Sequence, residues 1–350
     1  MKRRISFLLV VIMVISSVAV LGACSPKPEQ SNPTPGSAAE KSSEKDAASY
    51  KIVLILPGPI NDQSWNATNY AGLVASNETL GTKMEYVENV QAADFESTFR
   101  EYAERGYDLV MAAGSQFDEA VAAVAPNYPD TTFCAVNGSA SNGNNVAPIF
   151  PKEYEASYIA SIIAGYVTEN GNFATIGGFP NKPMEHLLDV YEKNSVAIAG
   201  KRNITGAKAV RAYANSWDDV ALGKQMAEQM IDNGADTLFV YANAVGLGSI
   251  EAAKAKGAKF IGFSSDQTTI DPDTVVASVV FDFEKFYIWA VEQYMAGDLS
   301  GNMVHEAGIK EGIFATVYTD NISQEIKDAV DAGIKDFKDG KVDLTKMFAE

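Results

Sequence analysis

Cysteine and histidine are nearly absent from this 350-residue chain, which has two of each. His186 and His305 lie far apart, with no cysteine or paired acid at ligand spacing, so no metal site is expected. Basic clusters are missing too. Outside Lys2-Arg3-Arg4 lysine and arginine do not cluster, and 45 acidic residues against 28 basic ones give a formal charge of −17. An acidic chain without a basic face argues against nucleic-acid binding. Catalytic signatures are also lacking. There is no Gly-x-x-x-x-Gly-Lys loop, Gly114-Ser115-Gln116 is no nucleophile elbow, and no carboxylate pair stands out as glycosidase machinery. Gly246-x-Gly248 is a weak phosphate motif, better read as close packing at a helix start. These absences point away from an enzyme and call for no cofactor.

What is present begins with an address. Lys2-Arg3-Arg4 followed by the apolar run Ile5–Val20 reads as a signal region over residues 1–23. Leu21-Gly22-Ala23-Cys24 resembles the bacterial lipobox, in which the cysteine is lipidated and becomes the mature N-terminus; the alternative is an ordinary signal peptide or N-terminal anchor with an incidental cysteine. The signal region carries three positive charges and no negative ones, so the mature chain is more acidic still. With Cys24 lipidated no disulfide is available, and Cys134, in the apolar segment 131–136, is expected to be a core residue. Residues 24–49, rich in proline, serine, glutamate and lysine, are expected to be a disordered tether holding a monomeric domain at the extracytoplasmic face of the cell membrane.

From Lys51 onward short apolar runs alternate with helical spacings, the pattern of βαβ units and parallel sheets. The rhythm runs through five strands to residue 150, passes a long helix over 153–169, and restarts at Phe173. The fold class predicted is α/β, with two lobes in series, each a parallel sheet flanked by helices. Lobe 1 spans 50–150 and is completed by about 266–300; lobe 2 spans 151–265 and is completed by about 301–350. A clam-like receptor follows, with its ligand in the cleft between the lobes, beyond the carboxyl ends of the strands.

The stretch around which this is organised is Lys51–Asn66. A buried strand runs into Pro57-Gly58-Pro59, which can continue neither strand nor helix, and Asp62 and Ser64 both offer N-cap oxygens for the helix that follows. With Ser64 able to cap, Asp62 becomes a candidate ligand contact, together with Trp65 as a stacking surface and Asn66. Gln116 and Phe117 sit at another strand end, Phe179 follows Gly177-Gly178 in the second lobe, and Asp266 is the acid at that lobe's last strand end. An acid, an aromatic and an amide arriving together at the loop after the first strand read as the first wall of a small-molecule site.

Gly58–Asn66 (GPINDQSWN) resembles the N-terminal signature of the basic membrane protein family. The similarity continues through DLVMAAGSQF at 108–117, EASYIASIIAG at 155–165, GLGSIEAA at 246–253 and IGFSSDQ at 261–267, in order over the whole mature domain. The resemblance implies the type I periplasmic-binding-protein fold. It also implies a PnrA-like substrate-binding lipoprotein of an ABC importer, partnered by two membrane-spanning permease subunits and an ATPase, and binding purine nucleosides or related bases. Three departures bear on the sugar. Asn243-Ala244-Val245 stands where nucleoside-binding members have a glycine-rich segment with a hydroxyl, Ser264 replaces an acid that contributes to ribose binding, and Phe281 stands where a lysine is usual. Val245, Ser264 and Phe281 thus join the candidate contacts, and the expectation is a site that prefers the base or discriminates little between base and nucleoside. Other readings left open are a receptor for another heterocycle such as a flavin, a sensor for a membrane signalling protein, and a lipid-anchored hydrolase.

Overall fold

A computed structural model describes residues 45–62 and 65–349. The expected signal region, Cys24 and most of the expected tether lie outside the described residues. The last five tether residues are ordered: Ala47–Ser49 form a 3-10 turn capped by Asp46, and the Lys45 ammonium lies 3.1 Å from the Asp108 carboxylate.

Apolar, β-branched runs make the strands, and helices cover both faces. The chain runs β1 (Ile52–Ile55), α1 (Trp65–Leu80), β2 (Glu85–Val87), α2 (Phe95–Glu104), β3 (Leu109–Ala112), α3 (Asp118–Val124) and β4 (Thr132–Ala135). These four strands form one parallel sheet in the order β2-β1-β3-β4. Ile52 and Leu54 face a core shared with Met111 and Cys134, while Val53 and Ile55 face a second with Val110 and Phe133. That period-2 division is what a strand buried on both faces requires. Cys134 is fully buried, and burial pushes its thiol far above the ordinary range, so it is an inert core residue.

After β5 (Ile149–Pro151) and α4 (Glu153–Val167) come β6 (Asn172–Gly177), α5 (Lys182–Lys201), β7 (Lys208–Tyr213), α6 (Val220–Asp232), β8 (Thr237–Tyr241), α7 (Ala244–Lys256), β9 (Lys259–Ser264) and β10 (Val275–Phe281). The chain ends with α8 (Phe283–Ala296), β11 (His305–Ala307), β12 (Phe314–Tyr318) and α9 (Gln324–Lys338). The second sheet has the order β12-β10-β9-β8-β6-β7, parallel except for β12, which runs antiparallel to β10. The fold is therefore α/β with parallel sheets flanked by helices.

Three local readings need correction. Residues 275–281, expected with 266–300 to complete the first lobe, pair with β9 in the second sheet; within that span α8 packs on the first sheet's α1. There the Tyr287 hydroxyl donates to Asn69 Oδ1 at 2.7 Å, fully buried, and Asn69 Nδ2 donates to the Trp65 carbonyl at 2.7 Å. The helix expected from 248 begins at Ala244, so Gly246 and Gly248 lie inside it. A Cβ on Gly248 would sit 1.9 Å from the Val220 carbonyl oxygen, and one on Gly223 would sit 2.0 Å from that of Val245. The glycines permit α6 and α7 to touch backbone to backbone. Finally, the short strand His305–Ala307, absent from the sequence reading, pairs in parallel with Ile149–Pro151 where the chain passes from one sheet to the other.

Candidate functional site

The carboxyl ends of strands from both sheets converge on a cavity of about 540 Å³. One wall comes from the first sheet's elements: Trp65 and Thr68 on α1, Asn137 after β4, and Phe283 at the start of α8. The opposite wall holds Tyr241 and Asn243 at the end of β8, Ser264 to Asp266 at the end of β9, and Val280 and Phe281 at the end of β10. Pro151 and Glu153, at the crossing between the sheets, close the floor.

Trp65 is fixed as a wall. Its indole Nε1 donates to the Ala113 carbonyl at 2.9 Å, and its ring meets Phe283 edge to face at 5.6 Å and 84°. Beneath the opposite wall the aromatic rings form a chain. Phe263 packs edge-on against Tyr241 (5.0 Å) and Phe281 (5.2 Å), and Phe281 packs against Phe314 (5.1 Å). This packing holds Phe281 in place with little exposure while it still lines the cavity.

The polar groups are set by unusual backbone. Asn137, Asn243 and Ser264 all have positive φ, at 59°, 41° and 72°. Asparagine tolerates this region and serine much less, and such residues gather where a site imposes them. Asn137 Oδ1 is buried with no hydrogen-bond partner in the protein, which leaves an acceptor for a ligand donor. Glu153 Oε1 accepts from the Tyr241 hydroxyl at 2.7 Å. Burial raises the Glu153 carboxyl to about 7, against the lowering effect of that hydrogen bond, and burial likewise drives the Tyr241 phenol well above its ordinary range. Asp266 directs Oδ1 to the Thr268 amide (2.9 Å) and hydroxyl (2.6 Å).

Of the ten ligand-contact candidates from sequence, Trp65, Ser264, Asp266 and Phe281 line this cavity. The others are elsewhere. Asp62 caps α1: its carboxylate accepts from the backbone amides of Asn66 (3.0 Å) and Ala67 (2.9 Å), the duty the sequence reading gave to Ser64. Asn66 is buried, donating to Asp62 and accepting from the Gly58 amide at 3.1 Å, so it ties the loop together. Phe117 is fully buried between Phe95 and Phe99, and Val245 is fully buried between α6 and the second sheet. Gln116 lines a separate groove beside Arg100. Phe179 is 38% exposed and packs on Trp217 at 5.6 Å, outside the cavity lining. Glu153, Tyr241, Asn137, Asn243 and Phe283 were not singled out; an asparagine two residues past the end of a buried strand, as at 137 and 243, was the available signal. Cys24 lies outside the described residues.

Among the described residues no group of three or more His, Cys, Asp and Glu could hold a metal ion, and no helix is long and apolar enough to cross a membrane. A family model described as the PnrA-like ABC transporter substrate-binding protein, Bmp, matches residues 49–340. The nucleoside-binding protein BmpA of an ABC transporter in Lactococcus lactis is 27% identical, with 98% of this chain and 99% of that protein covered. A protein of Haloferax volcanii named as an ABC transporter glucose-binding protein is 24% identical over 81% of this chain and 71% of its own. A solved ABC transporter solute-binding protein from Aeropyrum pernix has the same fold, with a TM-score of 0.64 at 21% identity, covering 84% of this chain and 92% of the other.

Proposed function

The chain belongs to the Bmp family of PnrA-like ABC transporter substrate-binding proteins, and from that premise we propose that it receives a purine-type heterocycle, as base or nucleoside, in the cavity between its sheets. Proteins of this family bind small molecules outside the cytoplasm for permease and ATPase subunits and perform no chemistry themselves. The two sheets with their helices act as lobes that close over the ligand, and the closed form is what the permease recognises.

One observation carries the reading. The cavity is lined by aromatic side chains, Trp65 and Phe283 on one side and Phe281 and Tyr241 on the other, together with a few polar groups, Asn137, Glu153, Ser264 and Asp266. A planar ring stacks on the first set while its N–H groups and ring nitrogens are read by the second. Ser264 and Phe281 both line the cavity, so at these two positions ribose would meet a hydroxyl and an apolar ring instead of a carboxylate and an ammonium. Leaving a buried sugar hydroxyl unmet costs about 1–3 kcal/mol, which favours the base. The Haloferax relative supplies the second reading, a hexose.

Calorimetry with adenine, guanine, hypoxanthine, their nucleosides, glucose and ribose tests this. Purine bases are expected to bind, with no nucleoside more than about tenfold tighter than every base. Heat from a sugar alone would overturn the heterocycle reading. The anchor is proposed separately: a Cys24→Ser variant is expected to leave the membrane fraction, and a cleaved variant still bound to membranes would contradict lipidation.

A further inference from the structure

We propose that the Glu153 carboxyl, held by the Tyr241 hydroxyl, recognises the ligand as a neutral acid, donating its proton to a ring nitrogen or carbonyl oxygen while accepting an N–H from the adjoining position. The proposal rests on the heterocycle reading above and specifies which edge of the ring is read.

Glu153 is the first residue of α4 and borders the cavity where the chain crosses between the sheets. Tyr241 occupies one lone pair of Oε1, which leaves the second lone pair and the whole of Oε2 for a ligand. No lysine or arginine among the described residues forms an ion pair with it. Its neighbour Lys152 turns to Glu155 instead, at 3.7 Å. The other titratable groups around it are Tyr241 on β8, Asp266 beyond β9, and Tyr154 on α4, Glu306 on β11 and His186 on α5, which border the small groove it also lines. A helix start favours an anion, yet burial outweighs this and raises the carboxyl to about 7. Closure over a ligand excludes more water and favours the neutral form further.

The two protonation states read different edges. A carboxylate offers acceptors only and matches two adjacent N–H groups. A carboxylic acid offers one donor beside one acceptor. It matches an amino group next to a ring nitrogen, as in adenine, or a carbonyl next to a ring N–H, as in hypoxanthine.

The test is calorimetry of the full-length protein in detergent with adenine and hypoxanthine between pH 5.5 and 8.5, for wild type, Glu153→Gln and Glu153→Ala. Wild-type Kd is expected to be flat at the acid end and to rise above pH 7 towards about tenfold per unit, the slope for one retained proton. Glutamine carries a donor and an acceptor at every pH, so Glu153→Gln is expected to bind with a flat profile. Glu153→Ala is expected to bind at least about tenfold more weakly, the loss of one to two hydrogen bonds. Wild-type affinity that improves with pH, with binding lost in Glu153→Gln, would overturn the neutral acid in favour of the carboxylate. A flat wild-type profile, or Glu153→Ala within threefold, would remove Glu153 from recognition altogether. Binding of neither base at any pH would mark instead the failure of the heterocycle reading, and the proposal would fall with it.

Discussion

Trp65→Ala should cost most of the ligand affinity, and the structure indicates how much. The indole is pinned by its bond to the Ala113 carbonyl and by Phe283, so it needs no ordering when a ligand arrives. A flat ring covering about 100 Å² of it gains roughly 2.5 kcal/mol at ~25 cal/mol per Å². Aromatic geometry adds about 0.5–1.5 kcal/mol. The sum, roughly 3–4 kcal/mol, corresponds to a Kd raised about a hundredfold or more. Trp65→Phe separates the two roles of the residue. It keeps a ring but releases the Ala113 carbonyl, leaving it the long 3.4 Å contact from Gln116 Nε2. It should therefore bind within about tenfold of wild type yet lose on the order of 1 kcal/mol of stability. Calorimetry at pH 6.5 with the tightest-binding base, paired with urea denaturation, reads both. Trp65→Ala binding within threefold of wild type would show that Trp65 is a structural residue and not a ligand wall.

Two other predictions concern stability. Tyr287→Phe removes the buried hydroxyl that donates to Asn69 and leaves an acceptor unmet, so unfolding free energy should fall by about 1–3 kcal/mol in urea titration; no change would mean α8 is not locked to α1 by this bond. Glu153 should make the ligand-free protein less stable as pH rises. Its folded value of about 7 exceeds that of an unfolded glutamate, so between these values the folded state holds the extra proton. The stability this proton provides is present at acid pH and lost as pH passes through 7. Glu153→Gln should then match wild type near pH 4.5 and exceed it at pH 8, by on the order of 1–3 kcal/mol; equal stability at pH 8 would contradict the shift.

The fold was legible because burial leaves a periodic trace. Strand 52–55 and the alternation after it could be read without knowing which sheet each strand joins. What could not be read was partnership across long separations. Tyr241 lies 88 residues beyond Glu153, and neither residue type stands out alone. Strand 275–281 follows a strand of its own sheet and precedes a helix of the other, and nothing local distinguishes the two destinations. The site was half legible for a related reason. An aspartate before a helix has the same sequence appearance whether it caps, as Asp62 does, or faces a ligand. Phe117 and Phe281 both stand at strand ends, yet α2 covers the first while the second borders the gap between sheets. Trp65 could be placed because Pro57-Gly58-Pro59 stops the strand and fixes where the helix begins.

The most direct test of the central claim is native mass spectrometry of the protein as purified. The account predicts a bound small molecule with the mass of a purine base, or of its nucleoside, lost on Trp65→Ala. A hexose in its place, retained by Trp65→Ala, would contradict it.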